Sequence, residues 1–293
     1  MNVAVLVFIA SALHADHTGG KDHGNGGAPV SASELLPARD VQEALSKAFD
    51  KEEAPRAREI LTQISDNARV ARERSIALCQ DTGIAEVFVN VGQDVHIEGD
   101  VLADAVNKGV ALGYTHGYLR TSIVADPLER VNTNDNTPAQ ITVTMVPGDQ
   151  LEITVLPKGG GTENASALRM FSPSTEWSDI VEFVLETVRE KGINSCPPLI
   201  VGVGIGGSFT SVAKVAKTAL LREVGSVASD NAYAAREKEL LDAINALGIG
   251  PMGLGGRTTA LAVHIEHAPC HIACLPVAVA MHCHVMRRMT ESI

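Results

Sequence analysis

Apolar residues along this chain change period several times, and the changes mark out its elements. After Asp40, placed to cap a helix, Val41, Leu45 and Ala48 fall on one face. A second helix over residues 54–78 sets Ile60, Leu61, Ile64, Ala68 and Ala71 at three- and four-residue spacings. Residues 87–91 (VFVNV) read as a short strand ending at Gly92, and residues 101–114 as a helix. Two β-branched runs, 141–146 and 151–156, flank Pro147-Gly148-Asp149-Gln150, which predicts a hairpin. An amphipathic helix over 177–191 stops at Gly192, and a buried strand over 199–205 enters a glycine cluster followed by a helix over 209–223. A helix over 235–247, an alternating strand over 261–265 and an apolar run over 275–281 complete the series. Helices and strands intermix without a dominant parallel pattern, so the fold class is mixed α/β (α+β), with N-terminal helices leading into the intermixed part.

Residues 1–39 stand apart. An apolar run over 3–9 with Ala10-Ser11-Ala12 after it has the outline of a secretion signal, yet no Lys or Arg precedes it, and it is far short of the roughly 20 apolar residues a membrane span needs. Residues 14–29 are rich in Gly, His and Asp and read as a flexible segment. The expected organisation is an N-terminal extension over 1–39, partly flexible, and one catalytic domain over 40–293.

The 293 residues suffice for a sizeable core without disulfide staples, and 45% hydrophobic against 20% charged residues is the balance of a folded chain. A net charge of −11 argues against nucleic acid and anionic membranes as partners. An anionic substrate would have to be drawn by a few placed cations. Five cysteines are too few for a disulfide scaffold, and the number is odd.

Three of the five lie at element ends: Cys79 opens Cys-Gln-Asp-Thr-Gly, Cys196 opens Cys-Pro-Pro before a strand, and Cys283 sits in His-Cys-His after one. Each alone could be a small buried hydrophobe, but three from separate loops suit a metal cluster. Zinc is an alternative, because Cys270, His271, Cys274, His282, Cys283 and His284 crowd into residues 270–284, although their spacing is not that of a zinc finger. Gly202-Val-Gly-Ile-Gly-Gly207 matches a dinucleotide fingerprint between a strand and a helix, which keeps an NAD-dependent oxidoreductase in view. Against it, the position about 20 residues on is Glu223, at a helix end instead of a strand tip. Lys158-Gly-Gly-Gly161-Thr-Glu-Asn164 is a nest for a carboxylate or phosphate. Arg120 beside the turn-rich 132–138 stretch is a candidate for bidentate carboxylate recognition.

Taken in order, these segments resemble the class I, iron–sulfur-dependent fumarate hydratase and tartrate dehydratase family, in its α subunit or N-terminal catalytic region. The likeness rests on Cys79-Gln-Asp-Thr-Gly, Leu119-Arg120, Asn132-Thr-Asn-Asp-Asn-Thr-Pro138 and Lys158-Gly-Gly-Gly-Thr-Glu-Asn164. It continues through Cys196-Pro-Pro, Gly202-Val-Gly-Ile-Gly-Gly207, Ile249-Gly-Pro-Met-Gly-Leu-Gly255, Pro269-Cys-His271 and Cys283-His-Val-Met-Arg-Arg288, from about residue 40 almost to the C-terminus.

The resemblance implies a [4Fe–4S] cluster on Cys79, Cys196 and Cys283 in a cleft, with one open iron acting as a Lewis acid. It implies catalytic roles for Asp81 and His271, and substrate contacts from Gln80, Arg120, Gly161 and His271. The reaction it implies is reversible hydration of fumarate to malate; L(+)-tartrate is the alternative substrate, and related dicarboxylates such as mesaconate stay open. Cys270 and Cys274 are left over, and the glycines at 202–207 become structural. The family's threonine base and further cations belong to a β region. The expectation is therefore a separate β subunit, a higher hetero-oligomer and a reducing, cytoplasmic location.

Overall fold

The computed structural model describes residues 37–74 and 76–293. The expected extension therefore lies, but for its last three residues, outside the described residues. The chain forms two compact units, one of residues 67–159 and 286–293, the other of 39–66 and 160–285. Among the described residues no helix is long and apolar enough to cross a membrane.

The opening helices are α1, Arg39–Lys51, and α2, Pro55–Arg74. Helix α1 buries Val41, Leu45 and Ala48, the face its spacing predicts. Asp40 does a different job from the expected cap: it lies in the first turn, and its Oδ2 accepts the amide of Val224 at 2.7 Å.

The first unit holds a four-stranded sheet in the order β2-β1-β3-β8. Its strands are β1, Ile84–Gly92, β2, Gln140–Val146, β3, Leu151–Lys158, and β8, Met289–Ser292; helix α3, Leu102–His116, covers it. Alternate residues Ala85, Val87, Val89 and Val91 meet Leu151, Ile153 and Val155 on one face, where Ala105, Val106, Val110 and Tyr114 of α3 close the core. Each fully buried aliphatic side chain of this kind contributes about 1.5–3 kcal/mol.

The expected hairpin is not formed. Strands β2 and β3 both pair with β1, the first parallel and the second antiparallel, so β1 is inserted between them. The physical reason is local. The chain just after β1 takes the hydrogen bonds of the intervening turn: Gly92 N donates to Gln150 O (2.8 Å), Gln93 N to Val146 O (2.8 Å) and Asp94 N to Gly148 O (2.9 Å). A side chain at Gly92 would stand 2.4 Å from Gly148 O, so only glycine permits that approach.

The second unit holds a sheet in the order β4-β7-β5-β6: β4, Ala167–Phe171, β5, Leu199–Gly206, β6, Ala260–Ala268, and β7, Leu275–His282. Between them come α4, Gly160–Asn164, α5, Trp177–Lys191, α6, Val212–Ala219, and α7, Asn231–Ala246. Leu199, Val201 and Val203 pack with residues of β6, β7, α5 and α7 in one core. On the other face Gly202 and Gly204 sit mid-strand under α6, where added Cβ atoms would lie 2.3 Å from Ala216 O and 2.6 Å from Ala216 N and Val212 O. Helix α6 thus packs backbone against backbone. In a dinucleotide fingerprint the glycines occupy the turn after the strand, so these two serve packing.

Candidate functional site

Each unit gathers one set of the expected residues. In the first, residues 79–83 form the loop that leads from α2 into β1, and hydrogen bonds from three directions fix it. Thr82, 2% exposed, donates its hydroxyl to the carbonyl of Arg120 at 2.9 Å. The buried phenol of Tyr114 shares its proton between the carbonyls of Thr82 and Gly83, both at 2.9 Å. Asn136 is fully buried; its Nδ2 donates to Gly83 O at 3.1 Å and its Oδ1 accepts Ser122 N at 2.6 Å. Inside the loop, Gly83 N donates to Asp81 Oδ1 at 3.0 Å. Gly83 has φ +78, and its Cα faces the backbone of Lys158 so closely that an added Cβ would be 2.7 Å away.

These bonds bring Cys79, Gln80, Asp81 and Arg120 into one neighbourhood. The thiol of Cys79 is partly exposed, with Gln80 Oε1 3.7 Å from its Sγ, and the side chains of Gln80 and Arg120 face solvent. Burial pushes the Tyr114 phenol far above its ordinary pKa and Asp81 adds to this, while the charge of Arg287 and a hydrogen bond with Asn136 pull the other way.

In the second unit, α5 ends in a single 3-10 turn, Gly192–Ser195, and Cys196 follows at φ 52, ψ 68 in the left-handed region. That conformation costs a non-glycine residue about 1–2 kcal/mol and turns the exposed Cys196 out from the chain. Two bonds hold the backbone there: Met252 N donates to Pro197 O and His284 Nδ1 to Cys196 O, both at 2.8 Å. His284 is buried, which holds its pKa below the ordinary value against the opposing effect of that bond. Cys283, partly exposed, has its Sγ 3.8 Å from His282 Nδ1. Gly161 belongs to the same neighbourhood, since an added Cβ would meet Asn194 O at 2.8 Å and Ser195 Oγ donates to Gly161 O at 3.4 Å.

His271 is placed elsewhere. It lies in the loop before β7 and Cys283 lies just after that strand. Eight residues at about 3.3 Å each put the two ends of β7 roughly 25 Å apart. The same length separates Cys270 and Cys274 from His282, Cys283 and His284, and among the described residues no three His, Cys, Asp or Glu side chains are grouped to hold a metal ion. The six residues that crowd in sequence therefore do not meet at one site.

None of the five cysteines is in a disulfide. Three soft thiolate donors at three element ends are a donor set that suits an iron–sulfur cluster. Tyr114, Asn136 and Arg287 are the residues that sequence patterns did not single out. Asn136 lies within the motif at residues 132–138, and Tyr114 ends the helical stripe over 101–114.

Comparison with known proteins assigns the chain to a class of enzyme, the hydro-lyases. The pattern of the family described as Fumarate hydratase (Fumerase) matches residues 30–292. The "Putative L(+)-tartrate dehydratase subunit alpha" of Methanocaldococcus jannaschii is 40% identical over 89% of this chain and 93% of its own length. The L(+)-tartrate dehydratase subunit alpha of Escherichia coli (strain K12) is 33% identical over 86% of this chain and 84% of its own. The chain belongs to the fumarate hydratase family.

Proposed function

We propose that this chain is the α subunit of a [4Fe–4S] hydro-lyase that removes water reversibly from a 2-hydroxy dicarboxylate. Cys79, Cys196 and Cys283 would hold the cluster. When bound, it supplies a Lewis acid that polarises the substrate's hydroxyl.

The chain's own residues supply positioning. Arg120, held by its carbonyl against the Cys79 loop, would pair with a carboxylate, and Gln80 and Asp81 would hydrogen-bond the substrate from the same loop. The Gly161 amide would meet a carboxylate oxygen. Dehydration also needs a base for the C3 proton. That base and the remaining cations would come from a β subunit in a hetero-oligomer. His271, a strand length from Cys283, is given no step. A cluster with an open iron favours a reducing compartment, which supports reading the enzyme as cytoplasmic.

Fumarate and malate are the first reading of the substrate, from the loops at residues 134–139 and 158–164. L(+)-tartrate is the second, favoured by the names its relatives carry. The observation that carries the reaction class is the presentation of three cysteines at element ends, Cys79 with Gln80 and Arg120 in the first unit, and Cys196 and Cys283 with Gly161 in the second. Anaerobic reconstitution tests it: broad visible absorption should vanish in Cys79→Ser, Cys196→Ser and Cys283→Ser and survive in Cys270→Ser and Cys274→Ser. Assays with fumarate, malate and L(+)-tartrate, with and without a candidate β chain, then assign the substrate. A chain that takes up no cluster, or turns over unaided, would overturn the corresponding part.

A further inference from the structure

Arg287 lies in the first unit, two residues before β8, and is nine-tenths buried. Its Nε is inaccessible to water and has no hydrogen-bond acceptor. A guanidinium keeps its charge in any protein environment, and burying one without satisfying its donors is costly. A fold that carries such a group gains from an anion that arrives later.

The surroundings say which anion. Pairing of Val155 with Met289 and of Lys158 with Ile84 sets the start of β8 at the end of the sheet where the Cys79–Gly83 loop enters β1, and from there the charge of Arg287 acts on the Tyr114 phenol, as does that of Asp81. That phenol is bonded to the carbonyls of Thr82 and Gly83, in the loop that presents Gln80 and Asp81. Thr82 in turn bonds the carbonyl of Arg120. A second cation therefore stands near the loop that Arg120 flanks, and it has a planar fork suited to a carboxylate.

We propose that Arg287 is a carboxylate-binding residue, receiving one acid group of the dicarboxylate at the Cys79–Gly83 loop; this rests on the hydro-lyase reading. Arg120 and Arg287 then give the unit two cations for a substrate with two negative groups, in a chain whose overall charge is −11.

The test uses the full chain reconstituted anaerobically, with thermal shifts titrated against malate, L(+)-tartrate and the monoacid 2-hydroxybutanoate for wild type, Arg287→Lys and Arg287→Met. Arg287→Met should weaken dicarboxylate binding at least tenfold, and Arg287→Lys should recover part of it. Monoacid affinity should stay within twofold. Iron content should be unchanged, and the ligand-free Tm of Arg287→Met should equal or exceed that of wild type, because a buried donor without an acceptor has been removed.

Dicarboxylate affinity kept within twofold overturns the proposal. Equal loss for both acids, or a lower ligand-free Tm in both variants, makes Arg287 a positioning or structural cation and overturns it too. If wild type holds the cluster but responds to no dicarboxylate, the substrate reading falls and this proposal with it. If wild type and Arg287→Met respond alike, only this proposal falls.

Discussion

The imidazole of His284 donates its Nδ1 proton to the carbonyl oxygen of Cys196 across 2.8 Å. The residue beside one expected cluster ligand thus holds the backbone of another, 88 positions away. The bond also fixes the tautomer, since a ring nitrogen facing a carbonyl must carry the proton.

Replacing His284 with Ala leaves the Cys196 carbonyl without that donor while Cys196 still has to adopt its left-handed conformation. A loss of about 1–3 kcal/mol is expected. The check is a chemical denaturation midpoint, with iron retained per chain after reconstitution as a second readout; the variant should hold less iron than wild type.

At Asn136 the side chain and the backbone make separate demands, because its amide ties Gly83 O to Ser122 N and its φ is +62. Asn136→Gly loses the first and keeps the second, whereas Asn136→Ala loses both. Urea unfolding should therefore find the Ala variant less stable than the Gly variant by about 1 kcal/mol, the reverse of the usual ranking of these residues.

Gly202→Ala and Gly204→Ala would push a methyl into the backbone of α6. Each should cost about 1–3 kcal/mol or more, as overpacked cores do. Gly148→Ala, where the space is open but φ is +101, should cost less. Melting temperatures of the three variants measured together check the order.

Asp135 supports a statement about pH. Burial raises its pKa, but the amide and hydroxyl of Thr137 and the side chain of Thr133 outweigh this, and the carboxyl titrates below its ordinary value. A lowered folded-state pKa stabilises the fold above the unfolded value of about 3.9, and the gain fades as pH falls through the folded value. The Tm advantage of wild type over Asp135→Asn should thus be present at pH 7 and shrink below about pH 4. An advantage independent of pH would contradict this.

Patterns with a single partner surface were readable from the chain. The helix expected over 177–191 with its stop at Gly192 is α5 to the residue, and the run over 275–281 is β7 but for its last residue. The three cysteines expected to hold a cluster stand out because each follows or precedes such an element. What escaped depends on distant chain. The two β-branched runs looked like neighbours because only their turn is local, and nothing in that turn announces that β1 inserts between them. Strands β4 and β8 are five and four residues long and pair with segments far away. Arg287 could not be singled out either, since its interest lies in being buried and a sequence does not display burial.

Thr154 of β3 and Thr290 of β8 share a hydrogen bond between hydroxyls across 136 positions of chain. On a ribosome, the first unit's sheet must therefore wait for its fourth strand until the whole of residues 160–285 has been made. Until then β3 offers an open edge that could recruit a neighbouring nascent chain. Yield in the cell should accordingly depend on how fast translation runs through that stretch, a sensitivity that purified, refolded protein would not display.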